Sequence, residues 1–390
     1  MNTFVPSEKI NPKVAAISPS GIRKLFDIAQ SMEDVISLGI GEPDFDTPWH
    51  IRNTAIRSLE KGRTQYTSNA GMIELKREIS AYLARRFSLY YDPEHEVIVT
   101  VGGSEAIDLA MRTVICPGDQ VLIPSPSFVC YGPIATLAGG VPVPLYTRAE
   151  DQFKLTPELL REHITPQTKL LVLPFPNNPT GAVMGREDLE AIAQVLRDTE
   201  ITILSDEIYA ELTYSEERHT SIAEIDGMKD RTILVSGYSK AYAMTGWRLG
   251  YVCAHRDFTQ VMLKVHQYAL MCAPTTSQFA AIEAMRNGDE DIAAMRREYN
   301  YRRRLIVDGF NEIGMPCFEP MGAFYCFPCI RSAGMSSEEF CRELLMQERV
   351  ALVPGDAFGE SGEGFVRASY AYSLDHIKTA LGRIRHFLER

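Results

Sequence analysis

The sequence is short of positive charge. Its 390 residues include 40 lysines and arginines against 51 aspartates and glutamates, which gives a formal net charge of −11 at pH 7. A nucleic-acid partner would require a clustered basic surface to neutralise its phosphates, and an anionic membrane would require the same. We therefore expect neither nucleic acid nor membrane among the partners.

Long apolar segments are also missing. Residues 1–13 contain no apolar run of the kind found in secretion signals. The longest uncharged stretch, from Val121 to Thr147, contains five prolines and three glycines and cannot form a spanning helix. These absences predict a protein that stays in the cytoplasm.

Cysteine motifs are sparse. The eight cysteines are scattered, and the one close pair, Cys326 and Cys329, has no second pair with which to complete a zinc site. We expect reduced thiols and no metal.

The length and composition indicate about two globular domains. From about residue 96 to 255, short β-branched runs alternate with segments of helical periodicity, which is the pattern of a parallel sheet covered by helices on both faces. The predicted strands are residues 97–101, 120–123, 169–173, 201–204, 232–235 and 249–252. The apolar positions between them predict buried helix faces: Ala106, Ile107, Ala110, Met111, Val114, Leu189, Ile192, Ala193 and Leu196.

The end of the chain predicts a second, smaller domain. It contains a charged helix around residues 290–312, strand-like pieces near 322–327 and a last helix with an apolar stripe. The stripe consists of Ile377, Ala380, Leu381, Ile384 and Phe387. We interpret the run Arg302-Arg303-Arg304 as a solvated helix face rather than a phosphate-binding patch.

Residues that could bind a ligand or take part in a reaction follow the ends of predicted strands, where ligands bind in open parallel sheets. Gly102-Gly103-Ser104 opens a helix and offers free N–H groups to a phosphate, although the same residues could form an ordinary turn. Asn178 lies in a proline-rich segment that could direct it toward the same edge or form only a turn.

Two further strand ends carry ionisable side chains. Asp206 and Tyr209 follow one strand, where the carboxylate could cap a helix or pair with a bound cation. Lys240 follows the next, and burial there would lower its pKa and favour its use as an amine nucleophile. The alternative for Lys240 is an ordinary surface lysine.

Taken in their order along the chain, the motifs resemble those of the class I aminotransferases, within the aspartate aminotransferase fold of pyridoxal-phosphate enzymes. The resemblance covers almost the whole chain. Its elements are Gly41-Glu42-Pro43-Asp44-Phe45, Gln65-Tyr66-Thr67, Gly102-Gly103-Ser104, Asn177-Asn178-Pro179-Thr180-Gly181, Ser205-Asp206-Glu207-Ile208-Tyr209, Ser239-Lys240, Gly246-Trp247-Arg248 and Arg367.

The resemblance implies a specific α/β fold. A large cofactor-binding domain, residues 48–285, would contain a mostly parallel seven-stranded sheet sandwiched by helices. A smaller α+β domain would combine the N-terminal arm, residues 1–47, with the C-terminal residues 286–390.

The resemblance also implies the cofactor, pyridoxal 5′-phosphate, and the residues that act on it. Lys240 would form the Schiff base with the cofactor and then move the proton between substrate and cofactor. Asp206 would pair with the protonated pyridine nitrogen. Tyr209 and Asn178 would hydrogen-bond the phenolic oxygen of the ring.

Other matched residues would hold the phosphate and the substrate. Gly103, Ser104 and Arg248 would bind the phosphate, with Tyr66 reaching across from the second subunit of a homodimer. Phe128 would stack on the ring, with burial as core the alternative. Arg367 would grip the substrate α-carboxylate, assisted by Asn178 and the backbone of Gly41.

One position departs from the pattern. Many aspartate-type members have a phosphate-binding serine three residues before the lysine, where this chain has Gly237. Ser236 or Ser239 could replace it, and the sequence does not decide between them.

The N-terminal sequence most resembles that of prokaryotic aromatic and N-acetyl-diaminopimelate aminotransferases. We expect an L-amino acid donor, with aromatic donors favoured because Ile17 and Ile22 would line a lid over the substrate, and a 2-oxo acid acceptor such as 2-oxoglutarate. The alternatives are an aspartate or N-acetyl-diaminopimelate aminotransferase, a C–S β-lyase on the same cofactor, and a regulatory module of the same fold.

Overall fold

A computed structural model describes residues 6–19, 28 and 32–390. The strands are β1 (Ile36–Ser37), β2 (Val97–Thr100), β3 (Gln120–Ser125), β4 (Val141–Tyr146), β5 (Thr168–Leu173), β6 (Thr202–Asp206), β7 (Thr232–Gly237), β8 (Gly250–Cys253), β9 (Tyr325–Cys326), β10 (Val350–Ala351), β11 (Val353–Pro354) and β12 (Val366–Ser369). The described helices are α1 (Pro12–Ala15), α2 (Trp49–Glu60), α3 (Ile73–Phe87), α4 (Gly102–Val114), α5 (Tyr131–Leu137), α6 (Pro157–His163), α7 (Arg186–Leu196), α8 (Arg256–Ala269), α9 (Thr275–Asn287), α10 (Asp289–Glu312), α11 (Ser337–Glu348) and α12 (Leu374–Leu388).

Seven strands form the large sheet, in the order β2-β8-β7-β6-β5-β3-β4. β8 runs antiparallel to both of its neighbours, and the other pairs are parallel. The mostly parallel seven-stranded α/β sheet is therefore confirmed. β4 was not among the strands read from the sequence, because Pro142 and Pro144 interrupt its apolar pattern. β4 is one of the two edge strands, and a proline is tolerated at an edge because its missing N–H can face away from the neighbouring strand.

Helices cover both faces of this sheet. Side chains of a strand alternate between faces, and Val97 and Val99 of β2 pack in a cluster with α3 and α9, whereas Ile98 packs with α4 and α8. The predicted helix faces are confirmed, since the positions named in α4 and α7 are all buried. Because helices cover both faces of the sheet, a ligand-binding site is expected at the carboxyl edge of the parallel strands.

The two ends of the described chain meet in smaller sheets. β1 pairs in parallel with β10, and β11-β12-β9 form an antiparallel sheet. The last helix buries Ile377, Ala380, Ile384 and Phe387, as its stripe predicted, while Leu381 is only partly buried.

The interpretation of Arg302-Arg303-Arg304 as a solvated face is wrong for two of the three residues. Arg302 and Arg303 are buried, and only Arg304 is exposed. Arg302 bonds Asp44 at 2.7 Å and Arg303 bonds Glu319 at 2.6 Å. Two guanidinium groups of this arginine run therefore lie inside the protein, because carboxylates elsewhere in the chain pair with them.

Three further findings concern membrane-spanning helices, metal-binding clusters and cysteines. In the part of the chain that the structure describes, no helix is long and apolar enough to cross a membrane. Within the same ranges, no cluster of three or more potential metal ligands occurs. All eight cysteines are free thiols.

Candidate active site

A cavity of about 490 Å³ lies at the carboxyl edge of the large sheet. All but one of the predicted site residues line it: Gly41, Gly103, Ser104, Phe128, Asn178, Asp206, Tyr209, Lys240, Arg248 and Arg367. The exception is Tyr66. The parallel strands β5, β6 and β7 each end at this edge, so residues distant in sequence meet there.

Lys240 lies in the turn that follows β7. Its Nζ atom donates a hydrogen bond of 2.6 Å to the carbonyl oxygen of Gly41. Burial lowers the pKa of Lys240 to about 8, and the nearby positive charges of Arg367 and Arg248 act in the same direction. A lysine with this pKa is far more often a free amine near neutral pH than an exposed lysine is, as an amine nucleophile requires.

Asp206 is the last residue of β6 and is buried. The Tyr131 hydroxyl group donates a hydrogen bond of 2.7 Å to one carboxylate oxygen, and the backbone N–H of Ile208 donates to the other at 3.2 Å. Burial raises the pKa of Asp206 to about 6, and these hydrogen bonds oppose the rise. Above that pH the cavity contains a negative charge that is favourable to a buried cation. The sequence analysis did not single out Tyr131.

The N-terminus of α4 closes one end of the cavity. Gly102 has φ +78°, which a glycine adopts without strain, and a Cβ atom there would lie 2.8 Å from a terminal guanidinium nitrogen of Arg248. Arg248 therefore lies beside the first residue of α4, and Gly103 and Ser104 of the same helix turn line the cavity with it. Together these groups form an anion site of helix terminus and guanidinium.

The structure explains why position 237 is a glycine. A Cβ atom on Gly237 would lie 3.0 Å from Gly250 Cα and 3.1 Å from both Ile208 and the Leu249 carbonyl oxygen. Of the two neighbouring serines, Ser239 lines the cavity, whereas Ser236 donates to the backbone oxygen of Glu207 at 3.3 Å.

Arg367, on β12, is buried and lines the same cavity. It donates a hydrogen bond of 2.8 Å to the Asn178 side-chain oxygen and another to the carbonyl oxygen of Gly39. Its Nε atom is buried and has no hydrogen-bond partner among the described residues. Its guanidinium lies over the Tyr325 ring at 4.4 Å.

Tyr209 meets a second residue that the sequence analysis missed. Its hydroxyl oxygen lies 2.9 Å from that of Tyr325, and both phenols are buried. Burial raises the pKa of Tyr209 well above its usual range. The sequence offered no signal for Tyr325, because it stands 116 positions further along the chain in a strand that reads as core.

Phe128 and Tyr66 have different outcomes. Phe128 lines the cavity, half-buried, with its ring edge-on to Tyr131 at 6.2 Å. Tyr66 is 80% exposed and lines a separate cleft with residues of its own segment and of α9.

The family model for "Aminotransferase class I and II" matches residues 33–384. The chain belongs to this aminotransferase family. It is 44% identical to a Bacillus subtilis relative named "Probable N-acetyl-LL-diaminopimelate aminotransferase", over 97% of this chain and 95% of the relative. It is 43% identical to an aspartate aminotransferase of Pyrococcus abyssi, over 97% and 98% of the two chains.

Solved aminotransferase structures have the same fold. The crystal structure of the aromatic aminotransferase from Pyrococcus horikoshii superimposes with a TM-score of 0.90 at 43% identity, over 94% of this chain and 98% of that one. The aminotransferase fold expected from the motifs is thereby confirmed.

As a class I aminotransferase, the protein is an enzyme that uses pyridoxal phosphate. The cavity fits that cofactor in three respects. A partly buried lysine with a lowered pKa can bond its aldehyde, a buried carboxylate can face its ring nitrogen, and a helix terminus with an arginine can hold its phosphate. The Nε atom of Arg367, which has no partner in the described part of the chain, leaves a donor for a carboxylate in the same cavity.

Proposed function

We propose that this aminotransferase takes its amino group from an aromatic L-amino acid and delivers it to a 2-oxo acid such as 2-oxoglutarate. One observation carries the preference for an aromatic donor. Among the described residues, the cations lining the cavity are Lys240, Arg248 and Arg367. Each has a task common to every substrate, which leaves none in that lining for the side-chain carboxylate of a donor such as aspartate. The choice of 2-oxoglutarate as acceptor rests on the family resemblance and not on this lining.

The apolar part of the lining supports the same preference. Ile40 borders the cavity with 43% of its surface exposed, and its backbone N–H is held by the Tyr372 hydroxyl group at 3.2 Å. An aromatic side chain that covered Ile40 would gain about 25 cal/mol for each Å² of apolar surface removed from water. The lid expected from Ile17 and Ile22 adds nothing to this argument, since Ile22 lies outside the described residues.

The residue roles belong to the same proposal. Bound pyridoxal phosphate supplies an electron-poor ring that accepts the electron pair released when the Cα–H bond of the amino acid breaks. Asp206, ionised above a pKa of about 6, stabilises positive charge on the ring nitrogen. Lys240 would anchor the cofactor and, once displaced as a free amine, would carry the proton on its Nζ atom from the substrate Cα to the cofactor.

The remaining residues bind and orient. Gly103, Ser104 and Arg248 hold the phosphate, and the position of Ser239 in the cavity lining favours it over Ser236 as the additional phosphate ligand. Arg367 binds the α-carboxylate, assisted by Asn178 beside it and by the backbone of Gly41, whose carbonyl oxygen accepts a hydrogen bond from Lys240 in the cofactor-free chain. Tyr209 donates to the phenolic oxygen of the ring, and Phe128 covers the ring face.

The assembly and its location are also proposals. The exposure of Tyr66 supports a homodimer in which Tyr66 contacts the phosphate site of the partner subunit. We keep the division into residues 1–47, 48–285 and 286–390, which the pairing of β1 with β10 supports at the two ends. A cytoplasmic location remains a prediction from the sequence.

A single donor comparison tests the substrate proposal. We expect kcat/KM with 2-oxoglutarate to be highest for phenylalanine or tyrosine among phenylalanine, tyrosine, aspartate and N-acetyl-diaminopimelate. If aspartate or N-acetyl-diaminopimelate exceeds both aromatic donors by more than about tenfold, roughly 1.4 kcal/mol in transition-state binding, the aromatic assignment is wrong. Release of pyruvate, ammonia and a thiol from cysteine conjugates, faster than any transamination, would indicate the C–S β-lyase instead.

A further inference from the structure

Tyr325 connects three parts of the active site. Its hydroxyl oxygen lies 2.9 Å from that of Tyr209, and its ring lies under the Arg367 guanidinium at 4.4 Å. A Cβ atom on Gly41 would approach the Tyr325 oxygen to 2.5 Å, so the Gly41 backbone packs directly against that hydroxyl group. Tyr325 is 1% exposed, yet it borders the cavity.

The hydrogen bond between the two phenols can form in only one direction at a time. Each hydroxyl group has one hydrogen and two acceptor lone pairs. If Tyr209 donates to Tyr325, the Tyr209 oxygen can only accept from the cavity. If Tyr325 donates to Tyr209, the Tyr209 hydrogen is free to point into the cavity, and accepting a hydrogen bond makes Tyr209 the stronger donor.

The surroundings of Tyr325 favour the second direction. Burial raises the pKa of Tyr325, and the Arg367 guanidinium 4.4 Å from its ring is the next largest influence and opposes that rise. Arg367 also lowers the pKa of Tyr209, but there its effect ranks behind burial and behind Tyr325 itself. The pKa of Tyr209 lies well above its usual range. The more acidic phenol of a pair is the better hydrogen-bond donor.

We infer that Tyr325 is a positioning residue of this active site: its hydroxyl group donates to the Tyr209 oxygen and thereby directs the Tyr209 hydrogen toward the cofactor. The inference rests on the role proposed for Tyr209 and is independent of which amino acid is the donor. Because Tyr325 belongs to β9 and Tyr209 follows β6, the contact also makes the small C-terminal sheet part of the cofactor site.

The test is a pH titration of the holoenzyme's near-ultraviolet and visible absorbance, with no substrate present. Donation from Tyr209 stabilises the phenolate of the cofactor and lowers the pH midpoint of that spectrum. Tyr325→Phe should therefore raise the midpoint by about half to one pH unit, the size expected for one lost hydrogen bond. 3-Fluorotyrosine incorporated at position 325, a more acidic phenol of almost the same shape, should lower it.

Two comparisons separate the possible failures. Tyr370→Phe is the matched control, because Tyr370 is equally buried and donates to the backbone oxygen of Ala323 at 3.1 Å; its midpoint should stay at the wild-type value. Tyr209→Phe should shift the midpoint by itself, and adding Tyr325→Phe to it should add nothing. If Tyr209→Phe has no effect, the role proposed for Tyr209 fails. If it shifts the midpoint while both changes at position 325 leave it unmoved, or if the two Phe variants are additive, the inference about Tyr325 is overturned.

Discussion

Two adjacent buried carboxylates show how a single residue becomes functional. Asp206 faces the cavity, while Glu207 is 3% exposed and accepts hydrogen bonds from Ser205 and Ser221 and contacts His219 at 3.0 Å. Neighbours in the sequence therefore have different environments: Glu207 is held within the protein, and Asp206 keeps its charge for a ligand.

The raised pKa of Asp206 predicts a stability cost in the cofactor-free chain. The folded pKa of about 6 lies above the usual 3.8, so the folded state prefers the protonated carboxyl group. Its contribution to stability is greatest below pH 3.8 and falls as pH rises through 6. Asp206→Asn should therefore stabilise the cofactor-free protein at pH 7.5 by about 2 kcal/mol, and by much less at pH 4.5.

The same substitution should abolish most of the activity. Loss of the charge facing the ring nitrogen should lower kcat/KM by about a hundredfold or more. Urea unfolding of the cofactor-free protein at the two pH values and one activity assay measure both effects. Glu207→Gln serves as the matched control, since it alters a buried carboxylate outside the cavity and should leave kcat/KM within a few-fold. An Asp206→Asn enzyme that keeps comparable activity would reduce Asp206 to a cap for the following turn.

The role proposed for Arg367 predicts that its removal lowers kcat/KM by the same factor for every donor. Arg367→Ala should lower kcat/KM by a similar factor for phenylalanine, tyrosine and aspartate, because the α-carboxylate is common to all and a desolvated charge pair is worth about 2–5 kcal/mol. Arg303→Ala also removes a buried arginine, but one paired with Glu319 outside the cavity, and should affect stability more than kcat/KM. A loss confined to aspartate would place Arg367 at the substrate side chain.

At the scale of elements, glycines bring β7, β8 and α4 together around the anion site. Cβ atoms at Gly237 and Gly250 would each lie within about 3 Å of neighbouring backbone, and the backbone nearest Gly250 is that of Gly102 and Gly103. The N-terminus of α4 thus packs on the strands without intervening side chains, which fixes its N–H groups relative to Lys240.

This packing predicts the outcome of restoring the serine found in many aspartate-type relatives. Gly237→Ser should destabilise the protein by about 1–3 kcal/mol through overpacking, rather than improve cofactor binding. Thermal unfolding and cofactor titration measure the two quantities. Gly382→Ser, at an exposed helix position where a Cβ atom would meet nothing within 4 Å, should cost less than 1 kcal/mol. A Gly237→Ser protein of wild-type stability that binds the cofactor more tightly would refute this explanation.

Local pattern predicted most of these elements, and the errors have physical reasons. Six strands, which are the five inner strands and β2, could be found with the residues at their ends because burial demands continuous apolar runs and the chemistry lies where those runs stop. β4 was missed because an edge strand tolerates Pro142 and Pro144. Tyr131 and Tyr325 could not be found, since their partners Asp206 and Tyr209 stand 75 and 116 positions away.

At the scale of the whole molecule, the active unit is proposed to be a homodimer with each phosphate site completed by Tyr66 of the other subunit. Mixing inactive Tyr66→Ala and Lys240→Ala chains should then restore activity, because each heterodimer contains one intact site. Random pairing of equal amounts gives about one quarter of wild-type activity. Activity after refolding or subunit exchange of the mixture is the measurement.

A second mixture provides the control. Lys240→Ala and Asp206→Ala change residues of the same cavity, so neither site of their heterodimer is intact and the mixture should stay inactive. Recovery in both mixtures, or in neither, would contradict the assignment of Tyr66 across the interface, as would a fully active monomer in sedimentation at the assay concentration.

The central claim is that Lys240 carries the cofactor, and borohydride reduction tests it most directly. Protein loaded with pyridoxal phosphate is reduced, digested and mapped by peptide mass spectrometry. The buried Nζ atom with a pKa of about 8, facing Asp206 and the anion site across one cavity, predicts a single label on Lys240. A protein that takes up no pyridoxal phosphate, or that is labelled on another lysine, would contradict the account.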